Sequence, residues 1–246
     1  MRPRLLAAVA VAALVAAPLG AVAAEPAECS VPQELQRIEI KFPRLAARLH
    51  SKEPVTIVAI GGASTAGAAA GSPDLSYPSR LRDALAADFP EATIRVVNKG
   101  VPRQSAQQML DRFPSDVLAE DPVLVIWETG TVDAVHDLQI DDFASALQRG
   151  IDQLKNRAID IILVDMQFSR STAAMIDFDR YLRTLHRVGE LNEVYVFPRF
   201  AMMRYWSEQN MFNFDGVLAE ERAKLAAKVY DCLGSHLAHS IRLAIP

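Results

Sequence analysis

Five short apolar runs constrain this chain more than any other feature. They cover residues 55–60, 93–97, 123–127, 159–164 and 193–197, and Val and Ile dominate them. The runs are continuous instead of alternating, which marks strands covered on both faces, as in a parallel sheet. Helical patterns lie between them, over residues 76–87, 141–156 and 172–191, with a last one over 218–233. Strand alternating with helix at this spacing predicts an α/β fold: one doubly wound, flavodoxin-like sheet of five parallel strands. A further helix is expected over residues 32–50, ahead of the first strand, with a kink at Pro43. The chain has 246 residues, half of them apolar. That suffices for one such core and does not demand two.

The N-terminus points to a compartment. Arg2 and Arg4 precede an apolar run from Leu5 to Ala17, Pro18 and Gly20 break that run, and small residues lead to Ala24. Basic head, apolar middle and small-residue end predict a signal peptide over residues 1–24. The mature domain is then 25–246, with 25–54 as an N-terminal helical extension, in the periplasm or outside the cell. The apolar run is too short to leave a stable membrane span after cleavage. The chain has two cysteines, Cys29 and Cys232. In an oxidising compartment they predict a disulfide. The net charge is −4. With no Lys/Arg-rich block to neutralise phosphates, nucleic acid is not an expected partner.

In an open α/β sheet, ligands bind at the carboxyl ends of the strands. The turns to inspect are therefore 61–71, 98–104, 128–133, 165–169 and 199–216. The first contains "AIGGASTAG", residues 59–67. It lacks the Lys and Ser/Thr of a phosphate-cradling loop and the G-x-G-x-x-G of a dinucleotide fold, so no cofactor is expected. His236 and His239 share a helical face without a visible third ligand, so no metal is expected either. The segment 197–206, "FPRFAMMRYW", reads as a core-facing helix carrying surface arginines, with a cleft wall as the alternative.

Four blocks occur in order: "AIGGASTAG", "VVNKGVP" at 96–102, "ETGTVDA" at 128–134 and "NFDGVLAEE" at 213–221, with "LVDMQFS" at 163–169 between the last two. Together they resemble the SGNH (GDSL-like) hydrolases over most of residues 55–233. The resemblance implies a serine ester hydrolase. In that chemistry a Ser attacks the carbonyl, an Asp-x-x-His pair supplies the base, and backbone amides with an Asn hold the oxyanion. Carried over residue by residue, Gly61 takes the place of the family's Gly, Gly62 of its Asp and Ala63 of its Ser. Asn98 and Gly100 match the second block. Val132 stands where the Asn donor belongs. Asp215 is retained, and Leu218 replaces the His.

A register shifted by one residue makes Ser64 the nucleophile, with Asp215 and a base such as His136, which follows Asp133 by three. Two readings follow. The favoured one is a catalytically impaired relative whose ancestral cleft (Ala63, Gly100, Val132, Asp133, Leu218) binds a small-molecule ester, an acylated glycan, a lipid or a protein partner. The other is an active ester hydrolase or acyl transferase using Ser64.

Overall fold

The computed structural model describes residues 29–214 and 217–245. The proposed signal peptide, residues 1–24, and Asp215 lie outside the described residues.

The sheet has five parallel strands: β1 (Val55–Gly61), β2 (Ile94–Gly100), β3 (Leu124–Glu128), β4 (Asp160–Val164) and β5 (Tyr195–Phe197). Their order is β2-β1-β3-β4-β5. The chain reverses its winding between β1 and β3, which is where an open sheet of this kind leaves a crevice. Side chains alternate along each strand. Ile57 and Ala59 enter one core with α2 (Tyr77–Asp88), α8 (Arg199–Glu208) and α9 (Ala219–Ala244). Val58 and Ile60 enter the other with α3 (Ala106–Asp111), α5 (Ile140–Lys155) and α7 (Asp179–Leu191). Burial on both faces explains the continuous apolar runs. Removal of that surface from water, at about 25 cal/mol per Å² of apolar area, is what drives the layers together.

Three helix boundaries differ from expectation. Residues 32–50 do not form one kinked helix: a 3-10 turn, Gln33–Gln36, is followed by extended chain, and α1 (Pro43–His50) begins at the proline. Pro43 lacks an N–H, so it is favoured in the first turn, where no partner is needed, and it starts the helix. The pattern over 172–191 is two helices, a short α6 (Arg170–Ala173) and α7. Between them Asp177 Oδ1 accepts from the Asp179 N–H (3.1 Å) and Phe178 is buried in the core. The last helix runs eleven residues beyond 233, to Ala244. Its second half is nearly all buried, so the apolar stripe that marks an amphipathic helix fades there.

Cys29 and Cys232 are joined by a disulfide across 203 residues. It ties the start of the described chain to the middle of α9. Two hydrogen bonds reinforce the tie: Trp206 Nε1–H donates to the Ser30 carbonyl (3.1 Å), and His236 Nε2 lies 2.8 Å from the Cys29 carbonyl. In the chain-entropy model, closing so long a loop stabilises by about 5 kcal/mol. Replacing both cysteines by Ser is expected to lower Tm by ~10 °C or more in a calorimetric scan. An unchanged Tm would show the bridge to be dispensable.

Candidate functional site

The turn after β1 is fixed from every side. Gly61 ends the strand; a Cβ there would lie 2.1 Å from Thr65 Oγ1 and 2.8 Å from Glu128 Cβ. Gly100 ends β2, and a Cβ there would lie 2.2 Å from the Ala66 nitrogen. Both glycines are therefore required by close approach: the neighbouring strand end leans directly on the turn backbone. Asn98 completes the clamp. Its Nδ2 donates to the Thr65 carbonyl (2.6 Å) and to Ser76 Oγ (3.1 Å), while its Oδ1 accepts from the Gly100 N–H (2.9 Å).

Beneath the turn runs a buried polar chain. Thr65 Oγ1 donates to Glu128 Oε2 (2.5 Å), which also accepts the Thr65 N–H (3.0 Å). The threonine hydroxyl has spent its one proton there, so the Tyr77 hydroxyl, 2.9 Å away, donates to it. Burial first, then the charge of Glu128, pushes the Tyr77 phenol far up, which keeps it a donor. Arg199 Nη2 stands 3.2 Å from Glu128 Oε1. Both side chains are almost wholly buried, and Arg199 Nε, Nη1 and Nη2 find no aligned hydrogen-bond acceptor among the described residues. Arg199 was expected on the surface. It is instead the counter-ion that lets a carboxylate sit under the turn. Of the other arginine in that segment, Arg204, the expectation stands: it is exposed beside Glu208.

The two candidate nucleophile positions differ sharply. Ala63 is exposed and Ser64 is buried. Ser64 Oγ donates to Gln167 Oε1 (3.0 Å). Its one proton is thereby directed at a neutral amide oxygen, and no histidine is bonded to it.

The Asp133–His136 pair is not formed. Both Asp133 oxygens face the Ala106 N–H (3.2 and 3.0 Å), so this carboxylate holds the start of α3, and burial pushes it up. His136 lies exposed at the end of α4 (Thr131–Val135). The backbone explains the miss: α4 ends at Val135, so His136 has left the helix and its non-helical backbone turns it to solvent, while Asp133 points in. Val132 lies in the first turn of α4, half-buried. Leu218 is the residue preceding α9 and is 78 % exposed. Sheet order places the Gly100, Ala63 and Val132 turns side by side along the carboxyl edge.

Sequence reasoning missed several polar residues at this edge. Glu128, Tyr77, Gln167 and Tyr230 were not singled out, although Glu128, a charge ending an apolar strand, was a visible signal. It also missed an Asp–His pair one strand away: His186 Nε2 lies 3.1 Å from Asp165 Oδ2, and Asp165 Oδ1 accepts the Phe200 N–H (2.7 Å). No hydrogen bond joins this pair to Ser64. Among the described residues no cluster of three or more His, Cys, Asp or Glu side chains is arranged to hold a metal.

His236 stacks on Trp206 (centroids 5.9 Å apart) behind the site. Burial holds its imidazole below the usual 6.5, and that of His239 likewise. Below pH 6.5 the unfolded chain binds more protons than the folded one. This contribution to stability is complete above 6.5 and lost as pH falls through the lowered values. Thermal melts at about pH 7.5 and about pH 5 should show the lower Tm at the acid side, with a smaller difference in His236→Gln. An identical difference in the variant would remove His236 as its source.

Comparisons with known proteins agree with this architecture. Among curated proteins, none matches the chain by sequence. Solved structures do match in fold. An acetylxylan esterase from Geobacillus stearothermophilus aligns with TM-score 0.56 and 19 % identity, over 72 % of this chain and 92 % of that one. An α/β hydrolase enzyme from the metagenome of Lake Arreo, Spain, aligns with TM-score 0.56 and 19 % identity, over 75 % and 98 %. A G-D-S-L family protein from Desulfitobacterium hafniense aligns with TM-score 0.50 and 22 % identity, over 71 % and 99 %. At such identities the likeness is one of fold. The sequence profile of the non-GDSL lipase-like family matches residues 28–246, nearly the whole chain, and the chain belongs to that family.

Proposed function

We propose that this protein is a secreted, catalytically impaired relative of the SGNH hydrolases that binds a ligand at the ancestral cleft. One observation carries the reading. The exposed position of the β1 turn is Ala63, while the adjacent hydroxyl, Ser64, is buried and committed to Gln167. A nucleophile needs a base within hydrogen-bond reach and an open path to the carbonyl, and Ser64 has neither. Val132 and Leu218, neither of which donates or accepts through its side chain, stand at the positions of the Asn donor and the His base. Losing one oxyanion donor alone typically costs about 3–4 kcal/mol of transition-state stabilisation.

The disulfide supports an oxidising location, and no described helix is long and apolar enough to cross a membrane. The ligand classes in view are an acylated glycan, a lipid, a small ester or a protein partner.

The test is direct. A fluorophosphonate probe should leave the protein unlabelled, and short-chain aryl esters should be hydrolysed no faster than in buffer. Labelling that disappears in Ser64→Ala would establish the opposite, an esterase with an unorthodox base.

A further inference from the structure

A cavity of about 220 Å³ opens between α6, α8, α9 and the segment 210–214. Gln167, the partner of Ser64, and Ala69 form part of its lining, so it adjoins the β1 turn. A space of this size takes a small ligand, about one ring with a short polar substituent. Its apolar wall is aromatic: half-buried Phe168 and Phe214 line it, and behind them the buried Trp206 and Phe212 meet edge to face (5.7 Å, 85°). Such a wall favours a ring, which gains edge-to-face contacts beyond its buried area.

The polar part of the lining has one sign. Arg170 is the one charged group among the described lining residues. Its Nε donates to Ser207 Oγ (2.9 Å), and its Nη2 donates to the Ser207 carbonyl and to Asn210 Oδ1. These bonds tie α6 to the end of α8 and hold the guanidinium in place. Its Nη1 has no partner among the described residues. Gln167 Nε2 has none either, since Gln167 meets Ser64 through Oε1. Two unused donors, a fixed cation and no carboxylate among the described lining residues favour an acceptor-rich anion.

We propose that the cavity binds a small single-ring aromatic carboxylate, of benzoate size, with the ring against Phe168 and Phe214 and the carboxylate at Arg170. The proposal rests on the reading of this protein as a ligand binder. It adds a chemical class to the ligands named there and assigns it to one wall of the cleft.

Titration calorimetry with benzoate, benzyl alcohol, benzylamine and octanoate tests it. Benzoate should bind saturably at micromolar to millimolar concentration, at least tenfold tighter than benzylamine and tighter than octanoate. Arg170→Gln should erase the preference for benzoate over benzyl alcohol while still binding the alcohol. Ala69→Trp, at an exposed lining position, should block every probe while leaving the melting curve unchanged. No saturable heat from benzoate, equal binding of benzylamine, or tighter binding of octanoate would each overturn the proposal. Failure of the non-catalytic reading would show separately, as phosphonate labelling, whatever benzoate does.

Discussion

Introducing Ala63→Ser, Val132→Asn and Leu218→His together is expected to raise turnover of p-nitrophenyl acetate by ~10³-fold or more over the parent chain. The reason is that the scaffold beneath the turn is intact. Gly61, Gly100, Asn98 and the Thr65–Glu128 link already hold the turn backbone rigidly. Nucleophile, base and oxyanion donors act as a unit, so each single substitution should return little. The order of effects is itself a test: the triple variant must far exceed the sum of the three singles. The gain should survive Ser64→Ala, because that hydroxyl is bound elsewhere. A folded triple variant with parental activity would mean that Ala63 is not the attacking position. So would an activity that vanishes with Ser64.

Truncating Arg199 should cost more stability than any other single change near the site. Arg199→Ala leaves Glu128 buried without a counter-ion, which typically costs about 3–5 kcal/mol. In a chain of this size that lowers Tm on the order of 10 °C. The double change Glu128→Gln with Arg199→Met should recover much of the loss, because it removes both charges from the interior. If the double variant is as unstable as Arg199→Ala, the pair acts through packing volume and not through charge.

Much of the fold was legible because its cause is local. Strands buried on both faces must be apolar throughout, so β1 and β3 announced themselves, and the disulfide followed from two cysteines and the expectation of an oxidising compartment. The helix errors came from places where tertiary burial overrides pattern. The second half of α9 is enclosed on nearly all sides, and Phe178 is drawn into the core between α6 and α7. In the candidate site, spacing located the turns but not the directions of side chains. Asp133 and His136 stand three apart in sequence, yet one faces the α3 amide and the other solvent. Arg199 looked like a surface charge because its partner, Glu128, lies 71 positions earlier and on another strand end. Only the sheet order brings those two together.

The clasp at Cys29 and Ser30 has a consequence in time. Trp206, a wall of the aromatic cavity, is oriented by the Ser30 carbonyl, stacks on His236 of α9, and neighbours the bridge to Cys232. The cavity is thus completed by segments from opposite ends of the sequence, and contacts of such separation form late in folding. During synthesis a growing chain could lay down most of the sheet and still lack this pocket. The proposed ligand site forms only as the last helix docks, so a half-made chain cannot capture ligand.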